Sequence, residues 1–153
     1  MRIETVILRI DFQKKIFYEA SFSNEALGWG AMSLEEQLNQ IGPSFHEKLF
    51  ELIERSGMDN KDVWKAANLD RKHFSKIQCD SHYHPKKKTV MALCIALKLN
   101  LEQAKDLLAR ADWAFSPSSK VDLIVQKALI DRQYDIMQLN TVLFKYTNEI
   151  LGV

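Results

Sequence analysis

The stretch DNKDVWKAANLDRKHFSKI (Asp59–Ile77) decides how this chain is read. Asp59 and Asp70 are both strong helix N-caps, because a short carboxylate accepts from the unpaired N–H groups of a first turn. Between them, Val63, Trp64 and Ala67 recur at helical spacing and are expected to face inward. Asn68-Leu69-Asp70 then breaks the helix. Asn68 tolerates the left-handed backbone that a tight turn needs. A second short helix follows, with Phe74 and Ile77 as its core-facing residues. Two helices this short, joined this tightly, hold the second one out from a body at a fixed angle.

Similar short helices extend outward on both sides. Phe45, Leu49, Leu52 and Ile53 form one apolar stripe of a helix that Gly57 ends. After a loop around Pro85, Lys86–Leu99 reads as a helix that is almost wholly apolar from Val90 to Leu97, and therefore central. Asn100 caps a further helix over Leu101–Ala111. Beyond the break at Ser116-Pro117-Ser118, Ser119 caps a helix carrying Val121, Ile124, Val125 and Leu129, and a last helix holds Ile136, Leu139, Leu143 and Phe144. Upstream, Val6, Leu8, Ile10 and Phe12 alternate with other residues, and Ile16-Phe17-Tyr18 resumes after a polar break, the pattern of a β-hairpin. Residues 23–32 read as a linker, and Ser33 with Glu36 caps a short helix over Leu34–Ile41 that Gly42-Pro43 stops. The expected organisation is a hairpin over 1–22, a linker with a short helix over 23–43, a helical core over 44–112 and a helical extension over 113–153. Trp113, and Trp29 between two glycines, are placed to seal the extension and the hairpin onto the core.

Composition sets limits. A chain of 153 residues with 46% hydrophobic residues can bury a real core. Two cysteines far apart, no secretory segment and no apolar run of membrane-spanning length point to free thiols and a cytoplasmic protein without a membrane partner. The net charge is only +1, so attraction for a polyanion has to come from local clustering. Such a cluster exists. Residues 71–88 hold Arg71, Lys72, Lys76, Lys86, Lys87 and Lys88 against the single acid Asp80, a net +5 without histidine. Charge segregated in this way attracts phosphate. Alone, a lysine run at a helix start is ordinarily a solvated surface.

Metal binding and catalysis have weaker signals. Cys79, His82 and His84 have a spacing that can supply three zinc ligands, but a structural site wants a closed set of four, and no metal or other cofactor is expected. There is no Gly-rich phosphate loop, no His-Glu-x-x-His and no nucleophile elbow, so the chain is not expected to be an enzyme.

The central stretch resembles the lambda-repressor-like helix-turn-helix domains of the Cro and xenobiotic-response-element type over about Phe45–Leu108. Leu69–Ile77 looks like the family's recognition helix. Pro85, Thr89 and Leu93-Cys94-Ile95-Ala96-Leu97-Lys98-Leu99-Asn100 look like its proline, threonine and "I-A-x-A-L-x-V-S" run. There are departures: Trp64 stands where the family has a small residue, Ala67 where it has leucine, and Asn60 where it often has glutamine.

The resemblance implies a mainly α fold with five packed helices and a third helix that enters the major groove of double-stranded DNA. Arg71 and Lys72 then lie on the turn that meets base edges, where arginine can bond guanine in bidentate fashion. Ser75 and Lys76 lie a turn further on, towards the phosphates, and Lys86, Lys87 and Lys88 do the same at the next helix start. Asn60 occupies the phosphate-contact position, and His73 is a further contact candidate. The implied protein is a sequence-specific transcriptional regulator of prokaryotic or phage type, a repressor acting as a homodimer through the hairpin or the last two helices, with helix 70–77 reading DNA. The alternative is a protein-interaction adaptor or regulator of defence or toxin–antitoxin type, with the same fold as a scaffold. Lysines converging on one face favour the first; lysines splayed apart, with an apolar patch elsewhere, favour the second.

Overall fold

The computed structural model describes residues 30–152, and its secondary structure is helical. The hairpin expected over 1–22, and Trp29, lie outside the described residues. Residues 30–42 belong to a unit separate from the one that begins at Pro43. In them, α1 (Leu34–Leu38) is capped by Ser33, whose Oγ accepts from the Glu36 N–H at 3.1 Å. It is shorter than the expected 34–41, ending in a turn at Asn39 well before Gly42-Pro43.

From Pro43 onward the chain forms one compact unit. Its elements are α2 (Phe45–Ser56), α3 (Asn60–Ala66), α4 (Arg71–Cys79), α5 (Lys87–Ala96), α6 (Leu101–Arg110), α7 (Lys120–Ile130) and α8 (Ile136–Thr147). The local signals act as their chemistry demands. Ser44 and Glu47 form a reciprocal capping box on α2, and Asn100 and Gln103 form another on α6. Gly57 ends α2 at φ 74°, a backbone state that carries little cost without a Cβ. Asp59 and Asp70 accept from Asp62 N and His73 N, which caps α3 and α4. Substituting Asp70 by Ala removes the α4 cap, and chemical denaturation should show a loss of about 1 kcal/mol.

The helix α5 is the axis of the domain. Thr89 to Ala96 are all buried, so beyond its first two residues no face of this helix meets water. Around it lie Phe45, Leu49, Leu52 and Ile53 of α2, Val63 of α3, Phe74 and Ile77 of α4, and Ala104, Leu107 and Leu108 of α6. Cys94 has no exposed surface, and burial pushes its thiol pKa up to about 12.

The residues after Trp113 continue this core. Val121, Val125 and Leu129 of α7, Ile136, Leu139 and Leu143 of α8, and Leu151 belong to the same buried cluster. Trp113 is half-buried and donates its indole N–H to the Pro85 carbonyl at 3.0 Å, fixing the start of the extension on the loop before α5. The Tyr134 hydroxyl donates to the Leu99 carbonyl at 2.9 Å. Two inward expectations are corrected. Trp64 is only partly buried, packed on the rim of the core, because Val63 and Ala67 already fill the inner face of α3. Phe144 is 58% exposed, since the buried stripe of α8 runs through Ile136, Leu139, Asn140 and Leu143.

Candidate nucleic-acid interface

The projected helix is α4, one residue offset at its start from the expected 70–77 and two residues longer at its end. The turn before it is the predicted one: Asn68 adopts φ 57°, and Leu69 is buried as its anchor. Phe74 and Ile77 hold the inner face of α4, with the Phe50 ring edge-on to Phe74 at 6.1 Å. The His46 Nε2–H donates to the Gln78 carbonyl at 3.0 Å, which ties the far end of α4 to α2. With one face pinned, the opposite face is dictated by the helical repeat. At about 100° per residue, Arg71, Ser75, Cys79, Lys72 and Lys76 fan out in that order over an arc of roughly 140°. Arg71, Lys72, Ser75 and Lys76 are all exposed.

Lys72, His73 and Lys76 line a shallow cleft of about 420 Å³ together with Asp70, Tyr83 and Lys86. Lysines from α4 and from the start of α5 thus face one concavity, although Lys76 and Lys86 are ten positions apart in the chain. His73 is half-buried and meets the Tyr83 ring edge-on at 6.4 Å, so the two rings form the floor. The neighbouring acids are occupied internally: Asp70 caps α4, and Asp80 accepts from the His82 N–H at 3.0 Å. Lys86 is the N-cap residue of α5 and makes no side-chain cap. The first N–H groups of that helix therefore add positive potential beside the lysines.

The other candidates lie elsewhere. Asn60 is partly buried at the first position of α3 and does not line the cleft. Lys87 turns away from the basic face: it is half-buried and ion-paired with Asp122 of α7, whose carboxylate is nearly fully buried. Lys88 pairs with Glu149 at 2.6 Å, both about half exposed. The expected role of these two lysines in holding phosphate is displaced by acids of the C-terminal extension, which a local reading of HYHPKKK could not see. Tyr83 is the residue that sequence reasoning missed. An aromatic set between two histidines in a basic loop was its only signal.

Cys79, His82 and His84 do not come together: among the described residues no three His, Cys, Asp or Glu side chains converge as metal ligands. His84 instead lies 3.5 Å from Asp112 and beside the Trp113 ring. Among the described residues no helix is long and apolar enough to cross a membrane. Comparison with family models, with curated proteins and with solved structures finds no match to this chain.

Proposed function

We propose that this chain is a sequence-specific DNA-binding transcriptional regulator of prokaryotic or phage type, cytoplasmic and non-catalytic, built on a lambda-repressor-like helix-turn-helix core. In this reading α4 enters the major groove. Arg71 approaches base edges with Ser75 beside it on the helix, while Lys72, expected at base edges, joins Lys76 and Lys86 at the cleft to hold phosphates. The observation that carries it is the convergence of those three lysines, against the single carboxylate of Asp70, on one cleft beside an exposed helix face. A single helix of nine residues offers few base contacts, so the working form is a two-fold dimer on a pseudo-palindromic site.

The test is selection of bound duplex from random-sequence DNA, followed by anisotropy titrations on the selected site. Arg71→Ala should cost about 1–3 kcal/mol on that site and flatten the preference at one base pair, with little change on unrelated duplex. Equal loss on both sequences would remove Arg71 from base reading.

A second reading is favoured by a different surface. Between α7 and α8 runs a groove of about 360 Å³ lined by Leu123, Ile124, Ala128, Leu139 and Val142. Leu123 and Val142 are 50% and 42% exposed. An apolar groove of this kind suits a protein partner, and the adaptor reading places function there. The two readings separate on one measurement: Leu123→Asp leaves duplex binding by monomer units intact in the first and abolishes function in the second.

A further inference from the structure

We propose that residues 149–152 form a strap across the helix-turn-helix turn that sets the orientation of α4, with Asn68, Leu151 and Gly152 as positioning residues for the DNA-contacting face. The inference rests on the DNA-binding reading above for its functional consequence, and on geometry alone for its structural content.

After α8, Asn148 adopts φ 58° and turns the chain back. Leu151 then enters the core with no exposed surface. Its carbonyl accepts two amide hydrogen bonds, from Asn68 Nδ2 and from Asn140 Nδ2, each at 3.0 Å. Its N–H donates to Asn140 Oδ1 at 2.8 Å. Asn140 is itself buried and uses both ends of its amide on this one residue, so the position of Leu151 is doubly determined. Asn68 is the left-handed residue of the turn, and its side chain reaches a partner 83 positions away. The next residue fits more tightly still. Gly152 has φ 90°, and a Cβ built there would stand 2.2 Å from the Asn68 carbonyl oxygen. The strap and the turn therefore share a surface with no room for a methyl group.

This contact falls on the joint between α3 and α4 rather than on either helix. Within the joint, the Asn68 and Leu69 N–H groups bond back to Lys65 and Trp64, and Leu69 is the only buried side chain of the turn. Those local bonds hold the end of α3, while Phe74, Ile77 and the His46–Gln78 bond hold α4 along its inner face and far end. The tether from Leu151 to Asn68 adds a constraint at the joint itself, where α4 begins. The same segment carries Glu149, which holds Lys88 at the start of α5. Strap, turn and α5 are thus coupled: release of 149–152 loosens α4 and frees a lysine together.

The test is amide hydrogen exchange on the full chain, without DNA, in wild type, Gly152→Val and Asn68→Gly. The valine expels the strap by collision with the turn. The glycine at 68 keeps the left-handed conformation but deletes the donor, so it separates strap loss from turn strain. Both variants should exchange about tenfold faster at Leu69 and through α4, with α6 unchanged. Affinity for a short labelled duplex of mixed sequence should fall several-fold with the same ranking. Unchanged exchange in α4, or acceleration spread evenly over α6 as well, would overturn the strap. Locally faster exchange with unaltered duplex affinity would overturn the positioning role. A wild type that binds no duplex would defeat the DNA reading instead, and the exchange data would still judge the strap.

Discussion

Replacing Lys72, Lys76 and Lys86 together by alanine should lower duplex affinity on the order of 100-fold, about 1 kcal/mol per lost phosphate contact. The more diagnostic change is in salt dependence. Each phosphate contact contributes about 0.9 to the slope of log K against log salt, so the triple variant should be shallower by about 2.7. The loss should be equal on specific and unrelated sequences, because phosphate carries no base identity. Stability should hardly move, since Lys72, Lys76 and Lys86 are exposed and form no ion pair within the described residues. Titrations at several salt concentrations measure both quantities. A triple variant with the wild-type slope would mean that the cleft does not meet the backbone of the duplex.

Among the charged residues of the described part, Asp122→Ala should be the most destabilising single substitution. The Asp122 carboxylate is buried, pairs with Lys87, and also accepts the Ser116 N–H at 2.6 Å. Its removal strands a half-buried ammonium and an unpaired backbone donor at the junction of α5 and α7. Breaking a buried pair from one side costs about 3–5 kcal/mol. Thermal unfolding should report this as a Tm lower by roughly 10 °C or more. The double variant Lys87→Met/Asp122→Leu should recover part of the loss, because an apolar pair needs no counter-charge, while the Ser116 N–H stays unsatisfied. Equal instability of the single and double variants would show that the carboxylate matters for the Ser116 loop and not for the lysine.

The pair also shows where local reading stops. Ser119 and Asp122 look like an ordinary helix start, and Ser119 does accept from the Asp122 N–H at 3.2 Å. Nothing within four residues tells that the Asp122 side chain leaves the helix end to meet Lys87, 35 positions away. The exposed members of the candidate site were legible, because the inner face of α4 is marked by Phe74 and Ile77 and the outer face follows from the helical repeat. Tyr83 was not, since a loop decides it, and neither was the separation of Lys87 and Lys88 from Lys86, since acids far along the chain decide that. Arg110 is a similar case. Its place beside Asp106 on one helix face follows from the i, i+4 spacing, and the hydrogen bond to that carboxylate raises its pKa. Its further bond, to the Pro43 carbonyl at 2.6 Å, follows from no local pattern.

The order of the helices, their caps, the left-handed Asn68 and the central burial of α5 were written in the order of residues, because each depends on neighbours within one or two turns, whereas the ends of α1 and α4 fell one to three residues from the expected ones. The three-dimensional packing alone selected which lysines remain available and which are claimed by Asp122 and Glu149. It also joined Leu151 to Asn68 and made the last two helices part of the core. Such contacts join groups tens of residues apart, and their energy depends on burial and distance, which no spacing along the chain encodes.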